Sequence, residues 1–198
     1  MFPLDNNLAY LIGVFLGDGH FWKDQQMRLR SIDKEFVEKV NDVILAITGR
    51  KGNISTRKEL SSWGKQPQWN LIYCDRKLSS YLLHITINKT EIPDDIFSAS
   101  FDYKIWFIRG LLDSDGWISK GNNNRYQIGF AKMEENVVKG LVKIATSVGL
   151  RIGKISKKIY PSGKIMNTII FSKPNINLFT INRKQKRFRD YRRNILKG

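Results

Sequence analysis

A nine-residue pattern that occurs twice constrains this 198-residue chain more than any other feature. Leu11-Ile12-Gly13-Val14-Phe15-Leu16-Gly17-Asp18-Gly19 returns as Ile108-Arg109-Gly110-Leu111-Leu112-Asp113-Ser114-Asp115-Gly116, at an offset of 97 residues. The likeness extends further. Lys23 and Lys120 each lie five residues beyond the acid, and Gly52-Asn53-Ile54-Ser55 resembles Gly153-Lys154-Ile155-Ser156 at an offset of 101. Residues 69–73 resemble 166–170. Self-similarity at a fixed period means that one structural unit is present twice.

Both copies read alike. An apolar helix (6–17 and 101–114) ends at an Asp-Gly pair, and two short strands follow (20–24 and 27–32, then 117–121 and 126–131). Next comes an amphipathic helix. Asp33 caps the first, with Phe36, Val37, Val40, Ile44 and Ile47 at helical spacing; Val137, Val138, Leu141, Ile144 and Ala145 mark the second. A hairpin (52–60 with 68–74, and 153–160 with 165–172) and a closing helix (76–86 and 174–182) complete each copy. Pro93 and the Asp94-Asp95 pair fall in a linker. The expectation is an α+β protein of two α-β-β-α-β-β-α repeats, residues 1–95 and 96–182, with a basic tail over 183–198.

The first helix of each copy is apolar nearly all round, so it should be buried on all sides. Gly13 and Gly17 share one face, as do Gly110 and Ser114, and small residues at that spacing let two backbones approach closely. The natural partner is the other copy, across a pseudo-twofold axis. Asp18 and Asp115 then meet at the negative ends of two helix dipoles, each facing a like charge. Such a cost is expected at a functional site, and divalent cations bound by oxygen ligands relieve it. Gly19 and Gly116 suit the left-handed residue that stops a helix, which would leave the Gly17 and Ser114 carbonyls free to help bind metal. Two such cations beside a phosphodiester activate water and stabilise the leaving oxygen.

Composition narrows the chemistry. Thirty-four Lys and Arg against 18 Asp and Glu give a net charge of +16, which suits a polyanion. No apolar run reaches the roughly 18–20 residues that span a bilayer. The opening Met1-Phe2-Pro3-Leu4-Asp5 has no signal-peptide pattern, so an intracellular protein is expected, in the cytoplasm, nucleoid or an organelle matrix. One cysteine, Cys74, excludes an internal disulfide and a Cys-based zinc site; two histidines, His20 and His84, argue against a His-rich metal site. Catalysis falls to carboxylates. The charge is uneven: +1 over residues 1–99, +8 over 100–182 and +7 over 183–198. The tail reads either as a solvated terminus or as an arm along a phosphate backbone, with Phe188, Tyr191, Ile195 and Leu196 to dock part of it as a short helix.

The two nine-residue stretches resemble the LAGLIDADG motif, with the acid at position eight. Nearly all of residues 5–182 resembles the single-chain, pseudo-dimeric LAGLIDADG homing endonucleases. The resemblance implies a monomer whose two saddle-shaped antiparallel sheets lie along the major groove of double-stranded DNA. It implies two or three Mg²⁺ ions, replaceable by Mn²⁺, at Asp18 and Asp115, each acid directing hydrolysis of one strand. The expected activity is a double-strand break in a long, asymmetric target, by the product of a mobile intron or intein. Arg109 stands where the motif usually has an apolar residue, which predicts a looser interface there.

On that reading Lys23, Lys120 and Lys132, near the acids, are candidates to stabilise the transition state. Arg28, Arg30, Arg57, Lys58, Arg125, Gln127, Lys154, Lys157, Lys158 and Lys164 are candidates to read bases or hold phosphates. Two sheets of eight-residue strands would follow on the order of 15 base pairs. His20 is opposed by Trp117 in the other copy and so makes a poor shared proton carrier. Trp63, Trp69 and Trp117 read as packing groups rather than base stackers, and Asp113, whose counterpart is Leu16, reads as structural. Two other functions use the same scaffold: an RNA-binding maturase acting on intron RNA, and a DNA-binding regulator that does not cut. A pure binder has no need of two costly acids.

Overall fold

The computed structural model describes residue 2 and residues 4–57, 67–120 and 126–195. The first repeat runs α1 (Asn6–Leu16), β1 (His20–Trp22), β2 (Gln26–Ser31), α2 (Lys34–Thr48), β3 (Asn53–Arg57), β4 (Gln68–Cys74) and α3 (Arg76–Ile85). A short helix, α4 (Asp94–Ser98), occupies the expected linker. The second repeat runs α5 (Phe101–Ser114), β5 (Gly116–Lys120), β6 (Tyr126–Lys132), α6 (Glu135–Ser147), β7 (Arg151–Ile159), β8 (Ile165–Ser172) and α7 (Asn182–Ile195). Each repeat carries a four-stranded antiparallel sheet, ordered β1-β2-β4-β3 and β5-β6-β8-β7.

The local signals act as their chemistry requires. Asp5, Asp33 and Asp75 cap α1, α2 and α3 by accepting the amide of the residue three further on. Strand residues alternate. Met27, Leu29, Leu71 and Tyr73 face the helices in the first sheet; Ile128, Phe130, Ile169 and Phe171 do so in the second. Opposite them, each sheet keeps an open face.

α1 and α5 form the centre, and every residue of α1 from Leu8 to Leu16 is buried. The helices touch backbone to backbone. A Cβ on Gly13 would lie 2.7 Å from the Leu111 nitrogen, and one on Gly110 would lie 2.9 Å from the Tyr10 carbonyl carbon. Close approach, not turn geometry, is also why residues 19 and 116 are glycine. Neither has a positive φ, correcting the left-handed expectation. A Cβ there would lie 2.6 Å from the Phe15 Cα or 2.5 Å from the Leu112 oxygen.

Strand pairing corrects the sequence alignment by one residue. Leu71 pairs with Leu29, and Ile169 with Phe130, its equivalent, so β4 and β8 are related by an offset of 98. The second repeat also departs from the first at its end. Residues 173–181 form no helix: Pro174 starts the segment, and its polar backbone is bonded elsewhere. Phe179 N donates to Asn177 Oδ1 (3.1 Å) and Thr180 N to Asp113 Oδ1 (3.0 Å). The helix comes later, as α7, whose first turn straddles the expected 182/183 boundary. Phe188 and Tyr191 bury it, with Phe188 against Phe179 at 6.4 Å between ring centroids.

Arg109 does not loosen the interface. Its Nε donates to Asn177 O at 3.2 Å and its guanidinium lies 4.8 Å from the Trp106 ring centroid. Asp113 is buried, accepting from Tyr10 Oη (3.0 Å), Thr180 N and Thr180 Oγ1. Burial pushes its pKa up, against the hydrogen bonds from Thr180. It binds the end of one repeat to the first helix of the other.

Candidate active site

The close approach of α1 and α5 brings their C-terminal ends, and therefore Asp18 and Asp115, together. The two carboxyl groups share a hydrogen bond. Asp18 touches solvent on one side, but protein surrounds the rest of it. Burial, then the charge and hydrogen bond of Asp115, push its pKa up to about 7, against the pull of Lys184 and Lys132. The pair resists carrying two negative charges.

Three ammonium groups surround it. Lys132, at the inner end of β6, places Nζ 3.1 Å from Asp115 Oδ2 and donates to Gly17 O at 3.3 Å. Lys89 donates to Gly17 O (2.9 Å) and to Gly19 O. Lys184 donates to Leu112 O (2.8 Å), Asp113 O (2.7 Å) and Gly116 O (2.7 Å). Gly19 and Gly116 are equivalent, so Lys89 and Lys184 are a matched pair. Each brings a positive charge to the carbonyl end of a central helix, where the dipole favours it. Burial lowers both lysines to about 8.

Their mountings differ. Lys184 stands on the first turn of α7. Lys89 ends a run of three left-handed residues after α3, with φ of 45° at Ile87, 53° at Asn88 and 71° at Lys89. L-residues avoid that region at a cost of roughly 1–2 kcal/mol each. The turn is held by Asn88 N donating to Leu83 O (2.9 Å) and Lys89 N to Thr86 Oγ1 (3.2 Å). Sequence reasoning missed both lysines. The signal was Ile87-Asn88-Lys89 against Ile181-Asn182-Arg183-Lys184, near the end of each copy.

Of the three lysines expected here, only Lys132 arrives. Lys23 is exposed in the β1–β2 turn, with φ of 48°, and Lys120 is exposed at the far end of β5. The strands carry both away from the helix ends. The Gly17 carbonyl, expected free, accepts Lys89 and Lys132. Ser114 turns its hydroxyl back onto α5, donating to Leu111 O at 2.9 Å.

Arg28 and Arg30 lie on the open face of the first sheet, Arg28 with its guanidinium 4.9 Å from the Trp22 ring centroid. Exposed His20 shares that face. Gln127, Lys154 and Lys158 lie on the open face of the second sheet, and Lys164 is exposed in the β7–β8 turn. Lys157 is a correction. Its register partner is the inward-facing Asn167, and it pairs with Glu135 of α6 at 3.0 Å, on the helix side. Trp69 packs against the core, while Trp117 lies across Gly129 on the open face. Arg57 is the last residue of β3; Lys58, Trp63 and Arg125 lie outside the described residues.

The donor set suits a hard cation. Among the described residues no three His, Cys, Asp or Glu side chains gather as a metal cage. Two carboxylates with nearby carbonyls are what a cation needs when water and substrate phosphate complete its shell. The Gly17 and Gly19 carbonyls already accept ammonium groups, so they face a place where positive charge is favoured.

Known proteins resemble the chain along most of its length. The family model described as LAGLIDADG-like domain matches residues 5–86 and 102–190. An uncharacterized protein of Methanocaldococcus jannaschii is 23% identical over 185 residues, 90% of this chain and 62% of that protein. The homothallic switching endonuclease of Saccharomyces cerevisiae is 22% identical over 165 residues, 75% of this chain and 28% of its own length. The chain therefore spans less than two thirds of either relative. Among solved structures, the homing endonuclease I-DmoI in complex with DNA and Mn superposes with a TM-score of 0.60 at 14% identity, covering 86% of this chain and 91% of that one. The N-terminal LAGLIDADG domain of DUF199/WhiA gives 0.59 at 13% identity, covering 86% and 77%. Among the described residues no helix is long and apolar enough to cross a membrane.

Proposed function

Because the chain belongs to the LAGLIDADG-like domain family, we propose that it is a site-specific endonuclease, making a double-strand break in a long, asymmetric DNA target with the help of a divalent cation. The observation that carries this reading is the Asp18–Asp115 pair, held against its own repulsion inside a ring of three ammonium groups. Asp18, Asp115 and the Gly17 carbonyl would hold Mg²⁺, which supplies an activated water and neutralises the leaving oxygen. Lys132 lies within reach of a phosphate resting on Asp115 and would stabilise the charge that builds there. Lys89 and Lys184 hold the carbonyl ends of the helices in register, so the two acids keep their spacing. The basic side chains of the two open faces would grip the duplex on either side, the protein acting as a monomer. The unequal charge of the halves favours a target whose two sides differ. Carriage within a mobile intron or intein fits a module that spans only part of longer relatives.

The reading is tested by incubating the purified protein with DNA that spans the uninterrupted insertion site of its own gene. Cleavage of both strands with Mg²⁺, abolished by EDTA, is expected. Specific binding without any cut in Mg²⁺ or Mn²⁺ would instead assign the scaffold to a DNA-binding regulator, and the paired acids would have no role.

A further inference from the structure

Two exposed apolar side chains flank the acids without any part in the chemistry above. Ile32 and Met133 are 47% and 48% exposed. They are equivalent positions. His20 pairs with Arg28, and Trp117 with Gly129, so an offset of 101 carries Ser31 to Lys132, Ile32 to Met133, and the cap Asp33 to Glu134. Each is the bend between a strand that ends beside the acids and the helix that starts behind it.

Their mounting is firm. The residue before Met133 is Lys132, whose Nζ reaches Asp115, and consecutive Cα atoms lie only about 3.8 Å apart. Asn167 Nδ2 donates to Met133 O at 2.9 Å; Asp33 N donates to Ser31 Oγ at 3.1 Å beneath Ile32. The alternation that puts Arg28 and Arg30, or Gln127 and Ala131, on the open face runs on to Ile32 and Met133. One exposed apolar residue needs no explanation. The same choice at both equivalent positions does, because the copies differ at the residue before it, Ser31 against Lys132.

We propose that Ile32 and Met133 form an apolar wedge against the DNA between the two scissile phosphates. The inference rests on the DNA-cleaving reading above. If the open faces occupy two successive major-groove segments on one side of a duplex, the groove facing the pseudo-twofold axis midway is the minor groove. Phosphates gain nothing from an isoleucine or a methionine. The apolar parts of DNA within reach are the sugar edges lining that groove and the faces of the base pairs. Isoleucine and methionine pressed there unstack a step and bend the helix. The cost depends on the step, and pyrimidine–purine steps yield most readily. Ile32 and Met133 thus make the deformability of the central step part of the recognised sequence.

The test uses full-length protein and a duplex recovered from a randomised library by binding in Ca²⁺, with 2-aminopurine placed at each position between the mapped cuts. The wild type should raise the fluorescence of one central position several-fold and prefer a pyrimidine–purine step there. Ile32→Ser with Met133→Ser should lose both effects while melting like the wild type, and Ile32→Leu with Met133→Leu should keep them. A bound duplex with no rise at any central position overturns the wedge and leaves the nuclease reading intact. So does a serine pair that behaves as the wild type. Failure to recover any bound duplex counts against the DNA reading itself, a different result.

Discussion

The two repeats put the same backbone around the acids and dress it differently. Where the second has Lys132 beside the buried Asn167, the first has Ser31 beside Trp69. Where the second anchors its helix end with Lys184 on a full helix, the first uses Lys89 on a strained left-handed turn. The parts that are the same fix where the acids stand; the parts that differ decide what each acid feels. An approximate twofold gives one shared centre and two unequal half-sites.

The comparison breaks most completely at the acids. Asp18→Asn or Asp115→Asn should lower double-strand cleavage by roughly 10³-fold or more while leaving specific binding intact. Supercoiled-plasmid cleavage would reveal this, with nicked circles marking the strand still cut. The next largest effect is at Lys132. Lys132→Met should slow cutting at the Asp115 half on the order of 10²-fold and the other strand less. Equal slowing of both strands, measured with separately labelled ends, would break the proposed division of labour.

Removing the matched lysines compares the halves in stability. Lys184→Met removes three hydrogen bonds to carbonyls at the end of α5 and should cost about 2 kcal/mol, a Tm drop of roughly 4–8 °C for a chain this size. Lys89→Met strands only the Gly19 carbonyl, since Lys132 still donates to Gly17, so about half that loss is expected.

Titration gives a smaller signature. Asp18 stands at about 7 when folded, above its ordinary 3.8, so its contribution is fully present below 3.8 and lost as pH rises through 7. Lys89 and Lys184 stand at about 8, below 10.5, so the metal-free protein regains stability as pH climbs from 8 towards 10.5. Melts in EDTA should show the difference between wild type and Asp18→Asn growing between pH 4 and 7, the variant being more stable at the upper end. The smallest effect belongs to Lys157→Ala. Its exposed pairing with Glu135 is screened by solvent and should leave the melting temperature nearly unchanged, and its place on the helix side predicts unchanged DNA affinity.

Much of this was legible in sequence because it is periodic or local. The apolar helices, the Asp33 cap and the alternating strands each follow from residues within one element. The meeting of Asp18 with Asp115 followed from small residues four apart. What escaped depends on reach. Lys89 and Lys184 cross some 70 residues of sequence to find their carbonyls, and a long flexible side chain leaves no period behind it. α7 was legible only in part, as a short docking helix marked by Phe188 and Tyr191, because among the described residues its buried side is Lys184, Phe188 and Tyr191 in a segment that otherwise reads as charge. The stretch expected as a helix over 174–182 misled because Leu178, Phe179 and Ile181 are indeed buried, but on a backbone irregular as far as Ile181 and held by Asn177, Asp113 and Arg109. Glycines 19 and 116 were rightly marked and wrongly explained, since packing against Phe15 and Leu112 acts between side chain and backbone, beyond any turn rule.

The hold of Lys184 on Leu112, Asp113 and Gly116 sets an order in time. A ribosome that has released both acids has not yet made the group that fastens the second of them. Residues 1–183 can pair their strands and bury their central helices, but the carbonyls around Asp115 wait for the next residue. A chain broken off earlier in synthesis would carry both aspartates with one of them unmoored. The Asp115 side of the centre is thereby finished only once residue 184 has been made and has docked.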